Sequence, residues 1–85
     1  MSFEALFKQR VPTPEQLHTL VRFVERGSLS AAFGSGKSAQ AAATQQLGRI
    51  DQALGIRTRK SAGAYKVPTL EAQELAALAR EFFQK

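Results

Sequence analysis

The most informative stretch of the chain, residues 27–55, reads GSLSAAFGSGKSAQAAATQQLGRIDQALG. It predicts a short helix capped by Ser28, followed by a turn around Gly34 and Gly36. A longer helix follows the turn, and Ser38 is its natural N-cap. Two helices joined in this way form a helix-turn-helix, in which the second helix lies in a DNA major groove roughly 12 Å wide.

The longer helix has two contrasting faces. Its inward stripe consists of Ala43, Leu47, Ile50 and Leu54. Its outer face carries small and polar side chains, and we expect Gln40, Ala41, Thr44 and Gln45 to form the major-groove surface. Gly48 in mid-helix costs roughly 1 kcal/mol relative to alanine, which indicates a packing or close-approach role.

A helix is predicted before this stretch and a hairpin after it. Thr13, Pro14 and Gln16 form a capping box that opens an amphipathic helix ending at Gly27. Residues 56–60 and 64–67 are predicted as two short strands joined around Ala62-Gly63 and closed by Pro68. Because side chains alternate along a strand, Arg57 and Arg59 are expected on one face of the first strand.

The positive charge is concentrated in this region. The net charge is +5, and the segment from Lys37 to Lys66 carries all of it, with Asp51 as its single acid. This distribution favours a phosphate-binding surface over an incidental solvated face. The expected phosphate contacts at the helix margins are Ser28, Lys37, Ser38 and Arg49. The hairpin is expected to contact the DNA backbone or the adjacent minor groove through Arg57, Arg59, Lys60 and Lys66.

The two ends of the chain are predicted to pack or to associate. Residues 1–12 form an arm or short helix that packs on the body, joins a dimer interface or contacts DNA. Residues 69–85 form a final helix capped by Thr69. Its apolar side chains predict a dimer interface made of Leu75, Leu78, Phe82 and Phe83. The alternative is that this helix folds back over its own core.

Several classes of protein do not fit the composition. There is no cysteine, one histidine (His18) and no cluster of carboxylates, so neither a metal site, a cofactor nor catalysis is expected. The segment Gly34–Ser38 resembles a phosphate-binding loop, but position 31, where that motif requires glycine, is alanine. No apolar run of about 18 residues exists for a membrane span.

The chain resembles the N-terminal DNA-binding domain of LysR-type transcriptional regulators from about Leu17 to Leu75. The matching positions are Phe23, Gly27–Ala32, Gln40, Thr44, Leu47, Ile50, Asp51, Leu54–Arg57, Gly63 and Thr69. The resemblance implies a winged helix-turn-helix. The effector-binding region of that family is not present in these 85 residues, which implies a stand-alone repressor of the plasmid or phage kind without a small-molecule effector.

The sequence therefore predicts a mainly α fold with a small β-hairpin. Residues 13–68 form a winged helix-turn-helix and residues 69–85 a dimerisation helix. The expected function is a homodimeric transcriptional repressor in the bacterial cytoplasm, bound to a palindromic operator in double-stranded DNA. Two alternatives remain: an architectural or partition-type DNA binder with low sequence specificity, and a module that binds another polypeptide.

Overall fold

The computed structural model describes residues 12–83, apart from the side chain of Phe82. The predicted N-terminal arm, residues 1–12, therefore lies outside the described residues except for Pro12. The elements are helices α1 (Pro14–Arg26), α2 (Leu29–Phe33), α3 (Lys37–Leu54) and α4 (Leu70–Phe83), with strands β1 (Arg59–Ala62) and β2 (Tyr65–Pro68) between α3 and α4. This confirms the predicted helix-rich fold with a small antiparallel hairpin.

Local capping signals define the first two helices as predicted. The hydroxyl of Thr13 accepts the backbone N–H of Gln16, and the Gln16 side chain accepts the N–H of Thr13. Gly27 ends α1 in the left-handed conformation (φ 87°), which glycine adopts without a Cβ clash. Ser28 then caps α2 by accepting the N–H of Ala31 at 3.1 Å.

The start of α3 differs from the prediction. Ser38 is not the N-cap, because the helix begins at Lys37 and Gly36 occupies the capping position without a side-chain hydrogen bond. The N–H of Gln40 donates to the Gly36 carbonyl at 3.1 Å, which closes the first turn two residues earlier than expected. The inward stripe is confirmed: Ala43, Leu47 and Ile50 are buried, and Leu54 packs against them half-buried.

The hairpin starts later than predicted. Arg59 pairs with Pro68 and Ala62 with Tyr65, so the two-residue turn is Gly63-Ala64. Residues 56–58 form no strand, because Asp51 binds backbone N–H groups in this segment, and the predicted common strand face for Arg57 and Arg59 is therefore wrong.

The hydrophobic core lies among the four helices. Leu20 and Phe23 from α1 meet Leu47 and Ile50 from α3, and all four are fully buried. Burial of each such side chain stabilises the fold by about 1.5–3 kcal/mol. Strand β2 contacts α1 and α2, so the base of the hairpin is anchored on the helical body.

Helix α4 folds back over the core of its own chain, as the alternative prediction had it. Its alanines at positions 72, 76 and 79 are buried, and Leu75 packs against the core. Phe83 is half-buried and stacks on His18 of α1 with ring centroids 3.9 Å apart. Leu75 and Phe83 thus make contacts within their own chain, and their part in a dimer interface stays a prediction. Leu78 is 64% exposed, and the Phe82 side chain lies outside the described residues.

Candidate nucleic-acid interface

The outer face of α3 is exposed and carries no acidic side chain. Ala41, Thr44, Gln45, Arg49 and Gln52 are all exposed, on the side of the helix opposite its buried stripe. Methyl groups, a hydroxyl and amide groups are thus presented together on a regular helix. Such groups can contact thymine methyls and the hydrogen-bonding edges of bases.

Gln40 is less free than its predicted role in the major groove requires. It is half-buried, and its Nε2 donates to the backbone carbonyl of Gly34. This bond joins the turn before α3 to the first turn of the helix. Gln40 therefore helps to fix the angle at which the chain enters α3. Of the four residues predicted to contact the major groove, the exposed ones begin at Ala41.

The N-terminus of α3 is a cationic, exposed end of the helix. Lys37 and Ser38 are both exposed, and no side chain caps the first turn at Gly36. The N–H groups of an uncapped first turn carry partial positive charge and favour nearby anions. Ser28, another predicted phosphate contact, uses its hydroxyl to cap α2 and is half-buried.

The hairpin is a slender projection. Residues 60–66 are all exposed, and the side chains around the turn are small. Because cross-strand partners share a face, Lys66 and Ser61 lie on the same face as Arg59, whereas Lys60 lies on the other. Lys66 Nζ donates to Ser61 Oγ at 2.6 Å. The two predicted lysine contacts are thus separated onto opposite faces.

Arg59 is held against α3, unlike the lysines of the hairpin. Its Nη2 lies 3.2 Å from Oδ2 of Asp51, and both side chains are only 22% exposed. Its Nη1 donates to the carbonyl of Thr44 at 3.4 Å. The guanidinium that was predicted to grip DNA is therefore occupied within the protein.

The loop that enters the hairpin is tied to the start of α4. Thr69 Oγ1 donates to the carbonyl of Arg57 and accepts the N–H of Ala72, which confirms Thr69 as the cap of the final helix. The N–H of Thr69 donates to the carbonyl of Thr58 at 3.1 Å. The backbone of Arg57 is therefore fixed while its side chain stays exposed.

The exposed charged side chains between Lys37 and Lys66 are all positive. Of the six bases of the basic segment, the five exposed ones have no ion-pair partner within 4.0 Å in the described part of the chain: Lys37, Arg49, Arg57, Lys60 and Lys66. The segment's acid, Asp51, is neutralised by Arg59. Five exposed cations thus lie on α3, in the loop after it and on the hairpin, while the acid within this segment is paired.

Two features were missed by sequence reasoning. Tyr65, beside the hairpin turn, is 59% exposed because its cross-strand partner Ala62 is too small to cover the ring. Asp51 organises the junction between α3 and β1. The signal for the second was present, since an isolated acid in a basic segment predicts an internal partner among the neighbouring arginines.

Other kinds of site find little support within residues 12–83. No group of three or more potential metal ligands occurs there, and no helix in that range has the length and apolarity needed to cross a membrane. A shallow surface depression is lined by His18, Val21, Arg22, Glu25 and Arg26. Glu25 in this depression also faces Arg80 of α4 at 3.9 Å.

Comparison with protein-family models, curated protein sequences and solved structures gives no match for this chain. The resemblance to LysR-type regulators therefore stays a prediction.

Proposed function

We propose that this protein is a sequence-specific DNA-binding regulator of transcription, a winged helix-turn-helix repressor that acts as a dimer on a palindromic operator. The observation that carries the proposal is the exposed outer face of α3, which carries Arg49 and no acid, together with four further exposed cations at its N-terminus, in the loop after it and on the hairpin. In this assignment α2 and α3 are the helix-turn-helix, and the β1–β2 hairpin is the wing. The protein acts in the cytoplasm, on the chromosome or on a plasmid.

Helix α3 is the recognition helix in this proposal. Gln45 lies at the centre of its exposed face, with Ala41 one turn before it and Gln52 two turns after it. A glutamine amide can bind adenine through two hydrogen bonds, and the methyl groups of alanine and threonine fit the thymine methyl. Arg49, on the same face, can donate two hydrogen bonds to guanine or bind a phosphate.

The cations around α3 are expected to strengthen binding to DNA of any sequence, without selecting particular bases. Lys37 lies at the N-terminus of α3, Arg57 in the loop after that helix, and Lys66 on the face of the hairpin that also carries Arg59. Contacts to phosphates position a protein on DNA and make its binding dependent on salt. The Asp51 carboxylate is paired with Arg59, whereas the exposed carboxylate of Glu71 accepts the backbone N–H of Arg57 at 3.5 Å.

The dimer is assigned to the outward face of α4. Leu70 is 67% exposed and Leu78 64%. They lie two helical turns apart on the side opposite the buried alanines. A two-fold axis through this face would present two copies of α3 to an inverted repeat, with half-sites about 34–36 Å apart or a multiple of that distance.

A selection experiment tests the proposal. Double-stranded oligonucleotides with a randomised core are enriched on the protein, and binding of the enriched site is compared with that of a scrambled site in a gel shift with competitor DNA. We expect an inverted repeat that is bound 10³-fold or more above scrambled DNA, on the order typical of specific regulators. Equal binding of both sites would indicate an architectural or partition-type protein, and binding of neither would favour a protein-interaction module.

A matched pair of variants links this binding to α3. Gln45→Glu places a negative charge at the centre of the exposed face, whereas Gln73→Glu makes the same change in net charge at an exposed position on α4. We expect Gln45→Glu to abolish binding and Gln73→Glu to leave it close to wild type. Equal losses in the two variants would contradict the assignment of α3 as the reading helix.

A further inference from the structure

The connection between α3 and the hairpin converges on one residue, Asp51. Its backbone carbonyl accepts the N–H of Gly55 at 2.8 Å and that of Ile56 at 3.2 Å. Its carboxylate accepts the N–H of Thr58 through Oδ1 at 3.0 Å and the Arg59 guanidinium through Oδ2 at 3.2 Å. Both carboxylate oxygens therefore hold residues that lead into β1.

Arg59 completes this junction from the strand side. Its guanidinium binds two groups of α3, the carboxylate of Asp51 and the backbone carbonyl of Thr44. These two residues are about two helical turns apart along α3. Gly48 lies between these two partners, so no side chain lifts the guanidinium from the helix. Only a planar group with several donors can make both contacts, because a lysine ammonium is a compact point charge.

The base of the hairpin is held by β2, which contacts α1, α2 and α4, and by the hydrogen bond from Thr69 to Thr58, and residues 60–66 project from this base. The side chains of residues 60–66 are all exposed, and an isolated two-stranded hairpin is marginally stable in water. Strand β2 contacts α1 and α2, but on the β1 side the first strand residue, Arg59, is the one that reaches α3. This ion pair is therefore the contact that ties the β1 side of the hairpin to α3, beside the contacts of β2 with the helical body.

We propose that the Asp51–Arg59 pair sets the angle between α3 and the hairpin, so that Arg59 is a positioning residue and not a phosphate contact. As far as DNA is concerned, this inference rests on the proposed function. Asp51 has a matching role: its carboxylate holds the hairpin in the orientation that binds DNA.

Two conservative variants separate positioning from simple electrostatics. Asp51→Asn removes a negative charge and keeps an oxygen acceptor. Arg59→Lys keeps the positive charge but loses the planar guanidinium with its several hydrogen-bond donors. If charge alone mattered, Asp51→Asn would bind DNA more tightly and Arg59→Lys would bind unchanged. We expect both variants to weaken binding to the enriched site about five- to tenfold, in the range of couplings between contacting residues.

The salt dependence gives the second readout. In Asp51→Asn and Arg59→Lys the slope of log affinity against log salt should stay at the wild-type value, because no phosphate contact is lost. The control Lys66→Ala should reduce that slope by about 1.8, because a dimer loses one phosphate contact in each of its two protomers and each contact contributes about 0.9. Tighter DNA binding by Asp51→Asn would overturn the proposal. So would a variant Arg59→Ala whose slope of log affinity against log salt is reduced as much as that of Lys66→Ala.

A measurement without DNA keeps this inference distinct from the proposed function. In the wild type, the residual dipolar couplings of the backbone amides of residues 60–66 should agree with values calculated from the alignment tensor of α3. In both variants the measured couplings should depart from those values. The couplings within α1 and α3 report whether each variant is folded, and Arg59→Lys alone decides the matter if Asp51→Asn does not fold. A wild type that binds no DNA refutes the proposed function, whereas unchanged hairpin couplings refute the positioning pair.

Discussion

A Cβ atom added to Gly48 would lie 4.0 Å from Nη2 of Arg59, its nearest contact outside the neighbouring residues and the nearby backbone of α3. The guanidinium lies beside α3 at this position, but at a distance that does not require glycine, so the packing or close-approach role expected for this residue stays a prediction. A methyl group still fits at an ordinary van der Waals distance. The helix therefore accepts alanine at this position, and larger side chains would displace Arg59.

Gly48→Ala is expected to stabilise the fold by about 1 kcal/mol, because glycine is the poorer helix former. For a domain of this size that corresponds to a rise in Tm of roughly 4–8 °C. Thermal unfolding followed by circular dichroism measures it. Gly48→Leu is the control, expected to lower Tm by moving Arg59. A lower Tm for the alanine variant would show that the guanidinium tolerates no side chain there.

Thr58→Val is expected to raise stability by about 1 kcal/mol, since a buried hydroxyl without a partner costs about that much. Thr58 is fully buried, and its Oγ1 has no hydrogen-bond partner among the described residues. Thr69→Val is the matched control, because its hydroxyl caps α4 and bonds Arg57; loss of the cap should cost about 1 kcal/mol. Urea titrations of the two variants should therefore shift in opposite directions.

Binding to DNA is expected to weaken steeply with salt. If a dimer contacts roughly six phosphates, the slope of log affinity against log salt is about −5. Arg57→Ala should flatten this slope and leave base preference intact, because its exposed side chain has no ion-pair partner in the described part of the chain. Fluorescence anisotropy at several salt concentrations gives the slopes. A wild-type slope near zero would refute the electrostatic assignment.

Gln45→Ala is expected to relax base choice at one or two operator positions, with a loss of about 1–3 kcal/mol at the preferred base. Thr44→Ala should act similarly, since its side chain is exposed and only its carbonyl binds Arg59. Competition with singly substituted operators measures the preference. If both variants weaken all sequences equally, these residues contact the DNA backbone and do not read bases.

Leu70→Glu combined with Leu78→Glu is expected to give a folded monomer with much weaker operator binding. Both side chains are largely exposed, so the fold of the monomer should tolerate the charges. Leu75→Glu is the contrasting variant and should unfold the protein, because Leu75 packs against the core. Sedimentation velocity reports the state of association. A double variant that stays dimeric would place the interface elsewhere, with residues 1–12 the next candidate.

The sequence by itself determined the elements whose signals are local. The capping box at Thr13, the left-handed glycine at Gly27 and the cap at Thr69 act within a few residues, and each lies where it was predicted. The buried stripe of α3 follows in the same way from helical periodicity. The local signal at Ser38 was wrong because the backbone carbonyl of Gly36 starts the helix without any side-chain cap.

The tertiary structure alone decided which side chains are free to act. Arg57 and Arg59 are equivalent in the sequence, yet only Arg59 reaches Asp51 once the chain has turned at the end of α3. The apolar residues of α4 divide in the same manner: Leu75 joins the core and Leu78 stays exposed. Both outcomes depend on how α3, the hairpin and α4 pack in space, because burial and ion pairing are set by neighbours that lie far apart along the chain.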